Sequence, residues 1–169
     1  LDGIVIPTGR CSEKVTSAKG KELGLWYSGK AHTHGGKVQG LTGPDGVPLF
    51  VSQVGPGSVR DLPAARGHVL GALHAAASKG LSTLADAEYQ GAGIGITTPV
   101  RQPVEGPPLA VGDHTSNRLQ CGVRCLGERA MAVLTGRWRV LRHTTLSPSK
   151  TGMIVQAAPT PTNIEKQTR

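Results

Sequence analysis

The first apolar stretch, Ile4-Val5-Ile6, is β-branched and stops at Pro7-Thr8-Gly9, which predicts a strand over residues 1–9. Residues 10–30 are polar, lysine-rich and glycine-bearing and read as a long loop. Two apolar runs then flank Gly43-Pro44-Asp45-Gly46, whose residues supply the backbone angles of a hairpin turn. From 61 to 78, Leu62, Ala65, Val69, Leu70, Leu73, Ala76 and Ala77 recur at helical spacing. Asp61 is placed to cap that helix, Pro63 is tolerated in its first turn and Gly80 ends it. A short strand is expected at 81–85 and a glycine-weakened one in "GIGITTPV". After a proline-rich loop at 102–113, a second helix is predicted over 116–135, with Leu119, Val123, Leu126, Ala130 and Val133 on one face. Pro159 and Pro161 oppose a helix in the tail. The order strand, hairpin, helix, strand, strand, helix predicts a mixed α/β domain with one sheet covered by helices.

Composition sharpens this picture. A chain of 169 residues suits one domain with a real core. Because only 3% of residues are aromatic, Val, Leu, Ile and Ala must fill that core. The formal net charge of +8 points to a polyanionic partner such as nucleic acid. Cys11, Cys121 and Cys125 are an odd set with no disulfide framework, which suits a reducing cytoplasm. No run of about 18 apolar residues suggests a spanning helix, and no signal-peptide pattern opens the chain, so no membrane partner is expected.

Candidate chemistry lies in carboxylates. Ligands of α/β sheets gather beyond strand ends. Asp2 lies in the first strand, Asp86 at the exit of the strand at 81–85, and Glu128 on the last predicted helix. Three such groups brought together repel unless a cation intervenes, and oxygen-only ligands suit Mg²⁺ or Mn²⁺. Each residue also has a plainer reading: a frayed terminus, a turn cap and a solvated helix position. The helical wheel does not select Glu128, which falls nearly opposite the apolar stripe.

The segments "LDGIVIPT", "WYSGKAHTHGGKVQG", "DGVPLFVSQVGPGSVRDLPAAR", "LADAEYQGAGIG" and "CLGERAMAVLTGRWRVLRH" run in order through nearly the whole chain. Together they resemble the catalytic domain of bacterial insertion-sequence transposases of the DDE superfamily, in the branch shared with Harbinger-type nucleases. The resemblance implies an RNase H-like α/β fold, with a mixed sheet of about five strands flanked by helices. It implies a catalytic domain over 1–155 that usually continues as a helix, but Pro159 and Pro161 fall there, so a poorly ordered tail is expected over 156–169. It further implies a metal-binding triad of Asp2, Asp86 and Glu128 that holds Mg²⁺ or Mn²⁺ and cuts and joins double-stranded DNA at element ends. A homodimer is ordinary for such enzymes, and a cytoplasmic, nucleoid-associated location follows.

Several positions depart from the family pattern. Glu88 stands where a small residue is usual, Arg60 where histidine is common and Gln53 where an acid is frequent, while Cys121-Gly122 interrupts the last helix. The chain begins at the first catalytic aspartate without a methionine, so a copy truncated at its N-terminus is expected. Two readings therefore stand: an active metal-dependent nuclease, or an inactive remnant that is at most a basic DNA-binding module. Lys30, His34, Arg137, Arg139 and Arg142 are candidate phosphate contacts, within wider basic runs that include Lys14, Lys19, Lys21 and Lys37. His32 and His34 lack the further ligands of a zinc site. Cys121 and Cys125 read as small buried hydrophobes.

Overall fold

The computed structural model describes residues 1–17 and 20–167, so Lys19 lies outside the described residues. Its centre is the ten-residue strand β5 (Thr33–Thr42). On one edge β1 (Asp2–Pro7) pairs antiparallel with it, in a register running from Asp2↔Gly40 to Pro7↔Gly35. The other edge is shared by three short antiparallel strands: β4 (Tyr27–Ser28), β6 (Pro48–Val51) and β7 (Gly55–Pro56). The turn between β5 and β6 has the expected hairpin chemistry, with Gly46 at φ +76° and the Gly43 N–H bonded to the Val47 carbonyl.

The fold is thus α/β with a five-stranded sheet, but the strands are recruited differently from the expected set. The loop predicted at 10–30 contains β4 and a small exposed hairpin of β2 (Lys14–Thr16) and β3 (Glu22–Gly24). Three-residue strands leave too short an alternation to be seen in sequence. Conversely, β8 (Thr83–Leu84) and β9 (Ile96–Thr97) pair with each other in parallel and form a separate two-stranded sheet. β8 touches the start of the main sheet where the Leu1 ammonium donates to the Leu84 carbonyl at 2.7 Å.

Side chains alternate across β5 and β1, so each face gathers its own helices. One face carries Ile6 and Val38 under Leu134, Leu141, Val155 and Ala158. These come from α3 (Val111–Arg137), a 3-10 turn at Arg139–Leu141, and α4 (Pro148–Ala157). The opposite face carries Lys37 and Gln39 under α1 (Asp61–His68) and α2 (Leu70–Ala77), with a second core of Ala65, Val69, Leu70, Leu73, Ala85, Tyr89 and Ala92. The single helix expected at 61–78 is broken at Val69, where φ is −140°. Gly67 and Gly71 flank that β-branched residue and leave the backbone little to stiffen it.

Three further expectations are corrected. Asp61 is the first residue of α1, with Arg60 at the cap position, and its side chain turns inward. A last helix, α5 (Pro159–Gln167), occupies the tail where the prolines predicted none. Pro159 and Pro161 sit in its first turn, where a backbone N–H has no intrahelical acceptor to lose. Cys121 and Cys125 are exposed, because only the last turns of α3 reach the core, at Ala130, Met131 and Leu134. Among the described residues no helix is long and apolar enough to cross a membrane.

Candidate active site

Two of the three carboxylates lie on neighbouring segments at one end of the sheet, where the Leu1 ammonium reaches the Leu84 carbonyl and the Asp86 charge is felt at Asp2. Asp2 opens β1, and its Oδ1 accepts the Gly3 N–H at 2.9 Å. Asp86 follows β8 directly and starts the 3-10 turn Ala87–Tyr89, its Oδ1 accepting the Glu88 N–H at 2.7 Å. A short polar side chain before a tight turn is well suited to that bond, so Asp86 both stops the strand and fixes its own carboxylate. Burial pushes the Asp2 carboxyl above its ordinary value near 3.8, and the charges of Asp86 and Asp61 push the same way. The Gly3 N–H and the N-terminal ammonium oppose them without prevailing.

Glu128 does not join this pair. It is exposed on α3 and bound to Arg124, one turn earlier, at 2.9 Å. It lies before the buried turns of the helix, whose core residues are Ala130, Met131 and Leu134. Arg124 is the link between them: its guanidinium holds Glu128 and is further stabilised by the charges of Asp86 and Asp2. It lines a cleft of about 240 Å³ with Leu1, Asp2, Leu84, Leu126 and Gly127.

Beneath the pair lies a buried polar layer that the sequence did not suggest. Lys37 and Asp61 form an ion pair of 2.8 Å with both side chains almost wholly buried. Burial alone would raise Asp61, but the Lys37 hydrogen bond and the charges of Lys37 and Lys30 hold it below its ordinary value. Gln39 is also fully buried and accepts the Tyr89 hydroxyl on Oε1 at 2.5 Å. Desolvation first, then the surrounding carboxylates, raise the Tyr89 phenol and keep it a donor. Alternation along β5 offered the only signal: Lys37 and Gln39 share one face, which an amphipathic reading assigns to solvent.

Gly3 is essential to this packing. A Cβ there would lie 2.3 Å from Asp61 Oδ1 and 3.0 Å from Gln39 Nε2. Since Lys37 pins Asp61, the carboxylate cannot yield freely. Gly3→Ala should therefore lower stability by about 2 kcal/mol, an overpacking effect visible as a fall of roughly 5 °C in Tm. An unchanged melting curve would show that Asp61 is free to move.

The expected phosphate contacts are dispersed. Lys30 turns toward Glu88 and Asp61. His34, at the far end of β5 from Asp2's partner Gly40, packs edge-on against Tyr27. Arg137 pairs with Glu165 and lies over the Trp138 ring. Arg142 donates to the Thr135 and Gly136 carbonyls, closing the end of α3, and Arg139 is exposed.

Asp2 and Asp86 fit a hard divalent cation by chemistry: both offer oxygens, and Asp2 is desolvated beside like charge. Among the described residues, however, no three metal-ligating side chains are grouped closely enough to hold an ion. Mg²⁺ commonly takes one or two carboxylates and keeps waters, so the pair suits it.

No match was found among curated proteins or among solved structures. With its two aspartates converging at the sheet end, the chain matches a family model described as DDE superfamily endonuclease over residues 1–163, and it belongs to that family.

Proposed function

We propose that this chain is a transposase-type DNA endonuclease and strand transferase that uses Mg²⁺ or Mn²⁺ to cut and join phosphodiesters at insertion-element ends. The observation that supports it best is the approach of Asp2 and Asp86, which are remote in sequence, within a family of endonucleases. When bound, the cation supplies charge stabilisation at phosphorus and a more acidic water. The Gly3 and Glu88 amides orient the two ligands. Glu128 completes the triad in this reading once it exchanges Arg124 for the site.

Residues 1–155 form the catalytic body, acting on double-stranded DNA in the cytoplasm, at the nucleoid. Lys30, His34, Arg137, Arg139 and Arg142 supply phosphate contacts. Arg137 must then exchange Glu165, and Arg142 the end of α3, for phosphate oxygens. A homodimer accords with cutting two element ends.

The Arg124–Glu128 pair also favours a second reading, an inactive remnant that at most binds DNA. Supercoiled-plasmid nicking separates the two. The chain should nick with Mg²⁺, and Asp86→Ala should reduce nicking to background. DNA binding without any nicking by the unmodified chain would establish the remnant.

A further inference from the structure

Lys30 lies in the turn between β4 and β5, two residues before His32, whose φ of 50° is the one positive value outside glycine among the described residues. Its ammonium is 2.7 Å from Glu88 Oε1 and 3.5 Å from Asp61 Oδ2. Glu88 is joined through its own N–H to Asp86, and Asp61 is fixed from below by Lys37. One flexible cation therefore connects the β4–β5 turn, the start of α1 and the turn that carries Asp86. Its side chain is 61% exposed, against 5% for Lys37. Lys37 is a permanent part of the interior, whereas Lys30 has a path to water.

We propose that Lys30 is a tethered counter-ion of the acidic site, seated between Glu88 and Asp61, whose charge opposes a divalent cation at Asp2 and Asp86. This rests on the reading that Asp2 and Asp86 take such a cation. Crowded carboxylates need positive charge nearby, and Lys30 provides it at Glu88 and Asp61. A dication entering at Asp2 and Asp86 meets repulsion from this ammonium, which weakens its binding. Desolvation opposes the Lys30 charge, but the Glu88 hydrogen bond and the charges of Asp61, Glu88 and Asp86 raise its pKa above 10.5. Lys30 therefore stays cationic over the range in which metal would bind.

The test is Mn²⁺ titration of the full chain, with free Mn²⁺ read by electron paramagnetic resonance. Lys30→Met should bind Mn²⁺ about fivefold more tightly than the unmodified chain, as expected for removing one charge several ångströms from a dication at high effective dielectric. Lys30→Arg, which keeps the charge, should match the unmodified chain, and Lys30→Gln provides a second neutral variant. Without metal, Lys30→Met should melt lower than the unmodified chain and gain more in Tm on adding Mn²⁺. Mn²⁺ binding that Lys30→Met and Lys30→Gln leave unchanged or weaken overturns the tether alone. No Mn²⁺ binding by any of these proteins, or binding that Asp86→Asn does not weaken, overturns both the tether and the Asp2–Asp86 metal reading.

Discussion

Lys37→Met should destabilise the protein by about 3–5 kcal/mol, the range for removing one partner of a buried ion pair. Lys37 sits in mid-strand, paired across β5 with Val5 on one side and Gly55 on the other, so no rotation of the backbone brings water to Asp61. With Lys37 gone, Asp61 keeps only the more distant and exposed Lys30. Thermal melting should show a drop of roughly 10 °C. The double variant Lys37→Met/Asp61→Asn should recover a large part of that loss, because it removes the stranded charge with its partner. A single variant that melts like the unmodified chain would mean that water reaches Asp61. The pH dependence has a defined sign. Asp61 is held below its ordinary carboxylate value, so the unfolded chain takes up protons first as pH falls. Its contribution is complete at neutral pH and is lost as pH falls through the lowered pKa.

Asp2→Asn should act in opposite directions on stability and activity. In this family of endonucleases Asp2 is the proposed ligand that burial and the charges of Asp86 and Asp61 make unfavourable to ionise. An asparagine keeps the acceptor for the Gly3 N–H and discards the charge. At pH 7.5 the metal-free variant should melt higher by about 2 °C, a modest gain because the group is partly solvated. Plasmid nicking should fall to background. The gain belongs to the pH range above the raised pKa of Asp2 and should vanish below its ordinary value near 3.8, where both proteins are neutral at this position. A lower Tm with normal nicking would remove Asp2 from the site.

The parts of the fold legible in the sequence were those with long periodic signals. The Ile4–Ile6 alternation of β1, the turn residues of the β5–β6 hairpin and the stripe of α3 all reported real elements. The helix at 61–78 was legible except for its break, which depends on two glycines around one valine. Short strands escaped because two or three residues hold no period. Prolines in the tail misled because their effect depends on position within a helix, and position is unknown before the helix is placed. Asp2 and Asp86 were visible as carboxylates at strand ends. The buried polar layer of Lys37, Gln39 and Tyr89 was not, since polar residues within a strand ordinarily face water, and Asp61 reads first as a helix cap. Glu128 lies on the expected helix, but the buried face is Ala130, Met131 and Leu134 rather than the predicted stripe, because the helix packs only by its last turns and Leu119 and Val123 stay in solvent.

The length of α3 has a mechanical consequence. Twenty-seven residues make a rod of about 40 Å, yet its buried residues begin only at Ala130. The preceding turns run past the core as an overhang, with Leu119 and Val123 in solvent and Asn117 hydrogen-bonded to both the N–H and the carbonyl of Val100. Arg124, Leu126 and Gly127 stand where the overhang leaves the body, and these same residues wall the cleft beside Asp2. That wall stands between the core-packed end of the rod and the turn that Asn117 ties to Val100, while the adjacent Arg101 donates to the Ala87 carbonyl beside Asp86, so the rod and the Asp86 turn are braced to one another across the cleft.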